Sequence, residues 1–199
     1  MEKIEQLRDE VHNLYAQKLP GRADWADWIY DKHVVLVGNE ARKIAEMYGG
    51  SPELAEAAGL LHDVADAVMK RQDPNHEKES LRIAREMLQK TGFGDKEIAI
   101  VVDDAIAKHS CHGETRPVSA EGKAMAAGDG VVHLTSDFYK IAEAGKLGHK
   151  SPREVAEWAL PKLERDFTNK IAYDDLREEI RPDYEQLRKH FQDLASAGV

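Results

Sequence analysis

Four residues of this chain have the chemistry of metal ligands: His33, the adjacent pair His62 and Asp63, and Asp129. Imidazole and carboxylate donors in one set suit manganese, iron, cobalt, nickel or zinc, and are less typical of magnesium, which favours a shell of oxygens. Asp66 follows three residues after Asp63 and four after His62, so a helix would turn all three toward one pocket. Their neighbours Leu60, Leu61, Val64, Ala65, Ala67 and Val68 leave almost no polar face. Carboxylates drawn into such a helix are costly unless paired, hydrogen-bonded or bound to a metal. An isolated His-Asp pair often just caps a neighbouring helix, and a lone histidine on an apolar face is more often a core residue than a ligand. The combination on separate helices is what points to a shared ion.

The elements that must position these residues read as helices. A first amphipathic helix over 1–19 carries Ile4, Leu7, Val11, Leu14 and Tyr15 and stops at Pro20-Gly21. A second, over 24–48, holds Trp25, Ile29, His33, Val37, Ile44 and Tyr48 at steps of three and four, placing His33 in the buried stripe. A third is expected over 52–69, capped by Ser51 with Pro52 at its first position. Further helices are predicted over 76–90, over 95–109 with His109 leaving on the buried side, and from Ser119 onward. In this last one Gly128 and Gly130 flank Asp129; glycine inside a helix costs roughly 1 kcal/mol against alanine, so the pair implies a close backbone approach. Residues 136–150 suggest a break at Gly145 to Gly148. A helix opens at the capping box Ser151 to Glu154 and should kink or stop at Pro161, and a last helix begins near Tyr173. This final third reads as packing or as a homo-oligomer surface.

Composition sets the frame. Abundant Ala, Leu, Glu, Lys and Arg with apolar residues at helical spacing predict an all-α protein, and 199 residues suit a single domain. A net charge of −9 argues against binding extended nucleic acid. A small phosphorylated ligand needs only a local positive spot, which a metal can supply. The single cysteine, Cys111, excludes an intrachain disulfide framework. With no secretory core near the N-terminus and no run of apolar residues able to span a bilayer, the expected location is cytoplasmic, without a membrane role.

The pattern of a histidine, a His-Asp pair and a distant aspartate resembles the HD-domain metal-dependent phosphohydrolase superfamily. The residues that carry the likeness are His33 in Asp-Lys-His-Val, His62 and Asp63 in Leu-Leu-His-Asp-Val, and Asp129 in Ala-Ala-Gly-Asp-Gly. The likeness covers roughly 25–140, followed by a C-terminal helical extension over about 151–196. It implies a compact multi-helix bundle with His33, His62, Asp63 and Asp129 as metal ligands on central helices. It further implies hydrolysis of a phosphate ester or anhydride, often in a nucleotide. Some members bind a second metal through extra histidines in the interval where His76 and His109 fall, so one or two divalent ions per chain are expected. The usual alanine before the final aspartate is Gly128 here, and the glycine-rich signature of the cyclic-dinucleotide branch is absent after His112, which argues against that activity.

The chemistry expected of such a site is attack on phosphorus by metal-activated water. Asp66, which resembles an acidic residue that some members place after the His-Asp pair, would take or relay the proton beside Asp63. Lys70, Lys108 and Arg116 are the candidates to hold the phosphate. Cys111 between two histidines raises a rival, a thiolate nucleophile or zinc ligand, disfavoured because no second cysteine stands at metal spacing. Two alternatives keep the same residues: a catalytically inactive metal-binding sensor or interaction module, and a helical protein whose His and Asp residues only form a core network.

Overall fold

The computed structural model describes residues 2–197. Helix α1 (Lys3–Ala16) is followed by the short α2 (Ala26–Ile29), which passes through a π-helical turn (Tyr30–Val34) into α3 (Val35–Tyr48). Helix α4 (Pro52–Leu61) gives way to a 3-10 turn (Val64–Ala67), and α5 (His76–Lys90) to the short α6 (Asp95–Ile98), which continues as a π-helical segment (Ala99–Ile106). Then come α7 (Ala120–Thr135), α8 (Phe138–Leu147), and α9 (Pro152–Arg165) with a π-helical turn (Asp166–Lys170), before α10 (Asp174–Ala197). No strand occurs among the described residues, as the composition predicts for an all-α bundle. Among the described residues no helix is long and apolar enough to cross a membrane.

Helix α3 packs against both α4 and α7, and small residues set how closely. A Cβ on Gly59 of α4 would stand 2.7 Å from Gly38 Cα of α3, and one on Gly128 of α7 only 2.8 Å from the Ala41 nitrogen. The backbones therefore touch, as the glycines around Asp129 imply. This draws together the start of α3, the end of α4 and the middle of α7, the three places where His33, His62 and Asp129 sit. Gly59→Ala is expected to destabilise the protein by about 1–3 kcal/mol despite its better helix propensity, because backbone atoms cannot yield to a methyl group. A lowered urea midpoint with an unchanged slope is the result to look for.

The helix expected over 52–69 stops at Leu61. Ser51 does cap it, accepting from Leu54 N at 3.4 Å, and residues 54–61 are buried on every side. Asp63 then leaves helical geometry (φ −117°, ψ 24°), so that neighbours which a helix would fan about 100° apart can both serve one site. The freed carbonyls find donors: Tyr15 Oη donates to Asp63 O at 3.1 Å and Ala23 N to Asp66 O at 2.9 Å. The helix expected over 24–48 likewise contains a π-helical turn, which holds His33. Helix α8 runs through Gly145, since one glycine costs too little to break a helix, and ends at Leu147, inside the break expected at Gly145 to Gly148; α9 runs through Pro161 on its exposed face, where the unpaired carbonyl can meet water.

Asp104 fixes the entry to α7. Its carboxylate accepts from Val118 N at 3.1 Å, Ser119 N at 2.8 Å and the Ser119 hydroxyl at 2.6 Å, and pairs with Lys108 at 2.7 Å. Burial alone would raise its pKa; the Lys108 and Ser119 contacts outweigh burial and bring it down from 3.8 to about 2. Between those values the unfolded chain binds a proton that the folded chain does not. The contribution of Asp104 is therefore complete above pH 3.8 and lost as pH falls toward 2. Asp104→Ala should cost about 1–3 kcal/mol at neutral pH, and the difference from wild type in urea midpoint should shrink across that acid window.

Candidate metal centre

Three side chains from three helical elements converge. His33 Nε2 lies 3.1 Å from His62 Nε2 and 3.4 Å from Asp129 Oδ1, which is 4.0 Å from His62 Nε2. His33, His62 and Asp129 are each no more than 2% exposed, and their donor atoms all lie within 4.8 Å of one another. Adjacent ligands of an ion held at about 2.1 Å stand about 3 Å apart, so the spacing suits one divalent cation.

Hydrogen bonding orients the donors. His62 Nδ1 faces Gly59 O at 2.8 Å and must donate to it, which makes Nε2, directed at the cluster, the nitrogen that carries the lone pair in the neutral ring. Burial, with His133 and His62 close by, pushes His33 well below its ordinary pKa and so favours its neutral ring. Asp129 Oδ1 is buried without a hydrogen bond among the described residues. Two imidazoles and an unsatisfied carboxylate oxygen facing one another are what a cation would reconcile, and the residues fit a metal.

The other side of Asp129 is held by groups that sequence reading missed. Its Oδ2 accepts from Lys170, buried in the π-helical turn after α9. Lys170 also pairs with Asp166 one turn earlier, at 3.3 Å. His133 Nε2 stands 3.3 Å from Asp129 Oδ1, while its Nδ1 stands 3.0 Å from Asp166 Oδ2. Asp166 Oδ2 also accepts from Tyr139 Oη and Lys162 Nζ, both at 2.8 Å. Burial would raise both aspartates, but His133 and Lys170 hold Asp129 well below the carboxylate range, and Lys162, Lys170 and His133 do the same for Asp166. A final third read as packing or an oligomer surface in fact builds one wall of the centre. The available signals were spacings of four: Asp129 to His133 on α7, and Asp166 to Lys170 on the turn.

Asp63 lies at the edge of the cluster, with Oδ2 3.4 Å from His62 Nε2 and Oδ1 2.5 Å from Arg71. Burial favours its proton, but Arg71 and His62 keep the carboxyl well below its ordinary value. Asp66 is fully engaged: Oδ1 faces His76 Nε2 at 2.8 Å, and Oδ2 accepts from Trp25 at 3.1 Å and Arg71 at 3.2 Å. Arg71, and not Lys70, is the cation that reaches the centre from this loop.

The remaining expected residues lie elsewhere or play other parts. His109 packs edge-on to His62, with ring centroids 5.3 Å apart, and burial lowers its pKa to about 4. His76, His109 and Asp63 fall outside the three-residue donor group. Lys70 pairs with Asp24 on the surface and Lys108 with Asp104. Arg116 Nη1 is spent on the carbonyls of Cys111, Gly113 and Thr115 in its own loop. Cys111 is buried, and burial raises its pKa, so the thiol is not poised as a nucleophile.

The fold and the centre together define an all-helical protein built to gather two histidines and aspartate at the meeting point of central helices. Residues 30–184 match the family model described as HD domain, and the chain belongs to this family of the HD-domain metal-dependent phosphohydrolase superfamily. The match extends beyond α7 into α10 and so takes in Asp166 and Lys170. No solved structure matches the chain.

Proposed function

We propose that this protein is a metal-dependent phosphohydrolase that cleaves a phosphate ester or anhydride of a small substrate, with a nucleotide the favoured class. The observation that supports it most is the cluster of His33 Nε2, His62 Nε2 and the unsatisfied Asp129 Oδ1 at ligand spacing. In this reading His33, His62, Asp63 and Asp129 hold a divalent ion, which when bound supplies a water of lowered pKa and offsets charge on the phosphoryl oxygens.

The protein's own groups do the rest. Lys170 holds Asp129 Oδ2, so that only Oδ1 turns inward. Gly59 O fixes the tautomer of His62. Arg71 keeps Asp63 ionised, and Asp66 with His76 forms a carboxylate–imidazole pair that accepts the proton released in hydrolysis. His109, whose Nδ1 is committed to Ile106 O at 2.6 Å, presents its other nitrogen near His62. Together with His76 it is the residue a second ion would use. A cytoplasmic setting and a homo-oligomeric state belong to the same reading.

The test is to strip the protein of metal, restore manganese, cobalt or magnesium in turn, and incubate it with a panel of nucleotides. Release of phosphate or pyrophosphate that depends on the added metal and is lost in Asp66→Ala supports the reading. Stoichiometric metal binding with no turnover on any substrate would instead identify a metal-responsive binding module.

A further inference from the structure

The phosphate-holding role is left without a residue once Lys70, Lys108 and Arg116 are committed elsewhere. Arg71 stands where such a residue is needed. It lies in the loop between the 3-10 turn and α5, with Nη1 2.5 Å from Asp63 Oδ1 and 3.2 Å from Asp66 Oδ2. The other oxygen of Asp63 is 3.4 Å from His62 Nε2, so a single carboxylate group separates the guanidinium from the donor cluster.

The plainer account is that Arg71 only neutralises two buried carboxylates. That account uses one nitrogen. Nε and Nη2 make no hydrogen bond among the described residues, and neither is sealed from solvent. These two carry the side-by-side N–H donors of the guanidinium, the pair that matches two oxygens of one phosphate. Asp66 does not depend on Arg71, because His76 faces its Oδ1 at 2.8 Å and Trp25 donates to its Oδ2 at 3.1 Å. The Arg71 side chain is 36% exposed and Trp25 39%, so the outer side of this carboxylate pair opens to water.

We propose that Arg71 holds a phosphoryl group of the substrate through Nε and Nη2 while Nη1 stays on Asp63 and Asp66, which sets that group against the candidate metal centre. Asp63 and Asp66 alone would repel an anion, so the guanidinium and a divalent ion are needed together. This inference rests on the phosphohydrolase reading and names the residue that gives it selectivity for phosphorylated substrates.

The test is calorimetric titration of the manganese-loaded protein with inorganic phosphate, alongside separate measurement of manganese affinity. Arg71→Gln should weaken phosphate binding about tenfold to a hundredfold. Its manganese affinity should hold or rise, because the guanidinium competes with the ion for Asp63. Arg71→Lys, which keeps a charge for Asp63 without the paired donors, should bind phosphate with intermediate affinity and serves if the glutamine variant does not fold. Equal phosphate binding by wild type and both variants would overturn the role of Arg71 and leave the phosphohydrolase reading intact. Full phosphate affinity in Arg71→Lys alone would overturn the two-donor contact, since charge would then suffice. Manganese affinity that falls as far as phosphate affinity in Arg71→Gln would also overturn the proposal, assigning the residue to the orientation of Asp63. Wild-type protein that takes up manganese but no phosphate would sink the reading of the site itself, and the inference with it.

Discussion

In His62→Ala, added manganese no longer raises the melting temperature. A ligand that binds only the folded state at a hundred times its dissociation constant stabilises it by about 2.7 kcal/mol. For a chain of this size that corresponds to a rise of about 5–10 °C. His62 supplies the one donor whose tautomer is set by a backbone partner, through Gly59 O at 2.8 Å, and its Nε2 is nearest to His33. Losing a group that merely orients a ligand costs about 10–100-fold in metal affinity; losing the ligand itself should cost more than that upper figure. The variant should still fold, since removing an imidazole from a cluster of like rings also removes their mutual crowding. Thermal melts with and without manganese, paired with elemental analysis of the purified protein, check this. A variant that keeps the full metal-dependent rise would remove His62 from the ligand set.

Lys170→Met carries the largest expected loss of stability. Lys170 is 3% exposed and bridges Asp129 and Asp166, with His133 between the same two carboxylates. Breaking a buried ion pair by removing one partner typically costs about 3–5 kcal/mol, because the remaining charge is left in a medium that cannot solvate it. The methionine variant should therefore show a strongly lowered urea midpoint. Two controls separate this from lost packing. Combining it with Asp166→Asn removes one of the two carboxylates that lose Lys170 as a partner and should restore part of the loss, a coupling that a double-mutant cycle reads directly. Manganese should also stabilise the variant, because a cation at Asp129 Oδ1 replaces some of the missing positive charge. Equal destabilisation with and without Asp166→Asn would mean that Lys170 contributes only its hydrocarbon stem.

These two residues differ in how far they could be read in advance. His62 stands in a run so apolar that its polar side chains, and those of Asp63 and Asp66, had to be compensated. Gly128 and Gly130 announced a close approach around Asp129, and His33 fell in phase with a buried stripe. All of this is local information, carried by spacing along single helices. Lys170 and Asp166 offered only their spacing of four, for they lie in a polar stretch where charged residues ordinarily face water. Arg71 and Lys70 are adjacent, and nothing in their identities says which turns inward.

What the amino-acid order determined by itself was the all-helical class, and it marked out His33, His62 and Asp129, the residues that converge, because helical periodicity and the cost of burying a carboxylate act within a few residues of one another. The third dimension decided the rest. Backbone contact at Gly59 and Gly128 brings three helices together, a break after Leu61 and a π-helical turn around His33 re-aim the candidate ligands, and a turn near the end of the chain delivers Lys170 to Asp129. Such pairings depend on which distant segments share the low-dielectric interior. Charge and hydrogen-bond satisfaction across that interior, summed over contacts far apart in the chain, select the wall that closes the centre.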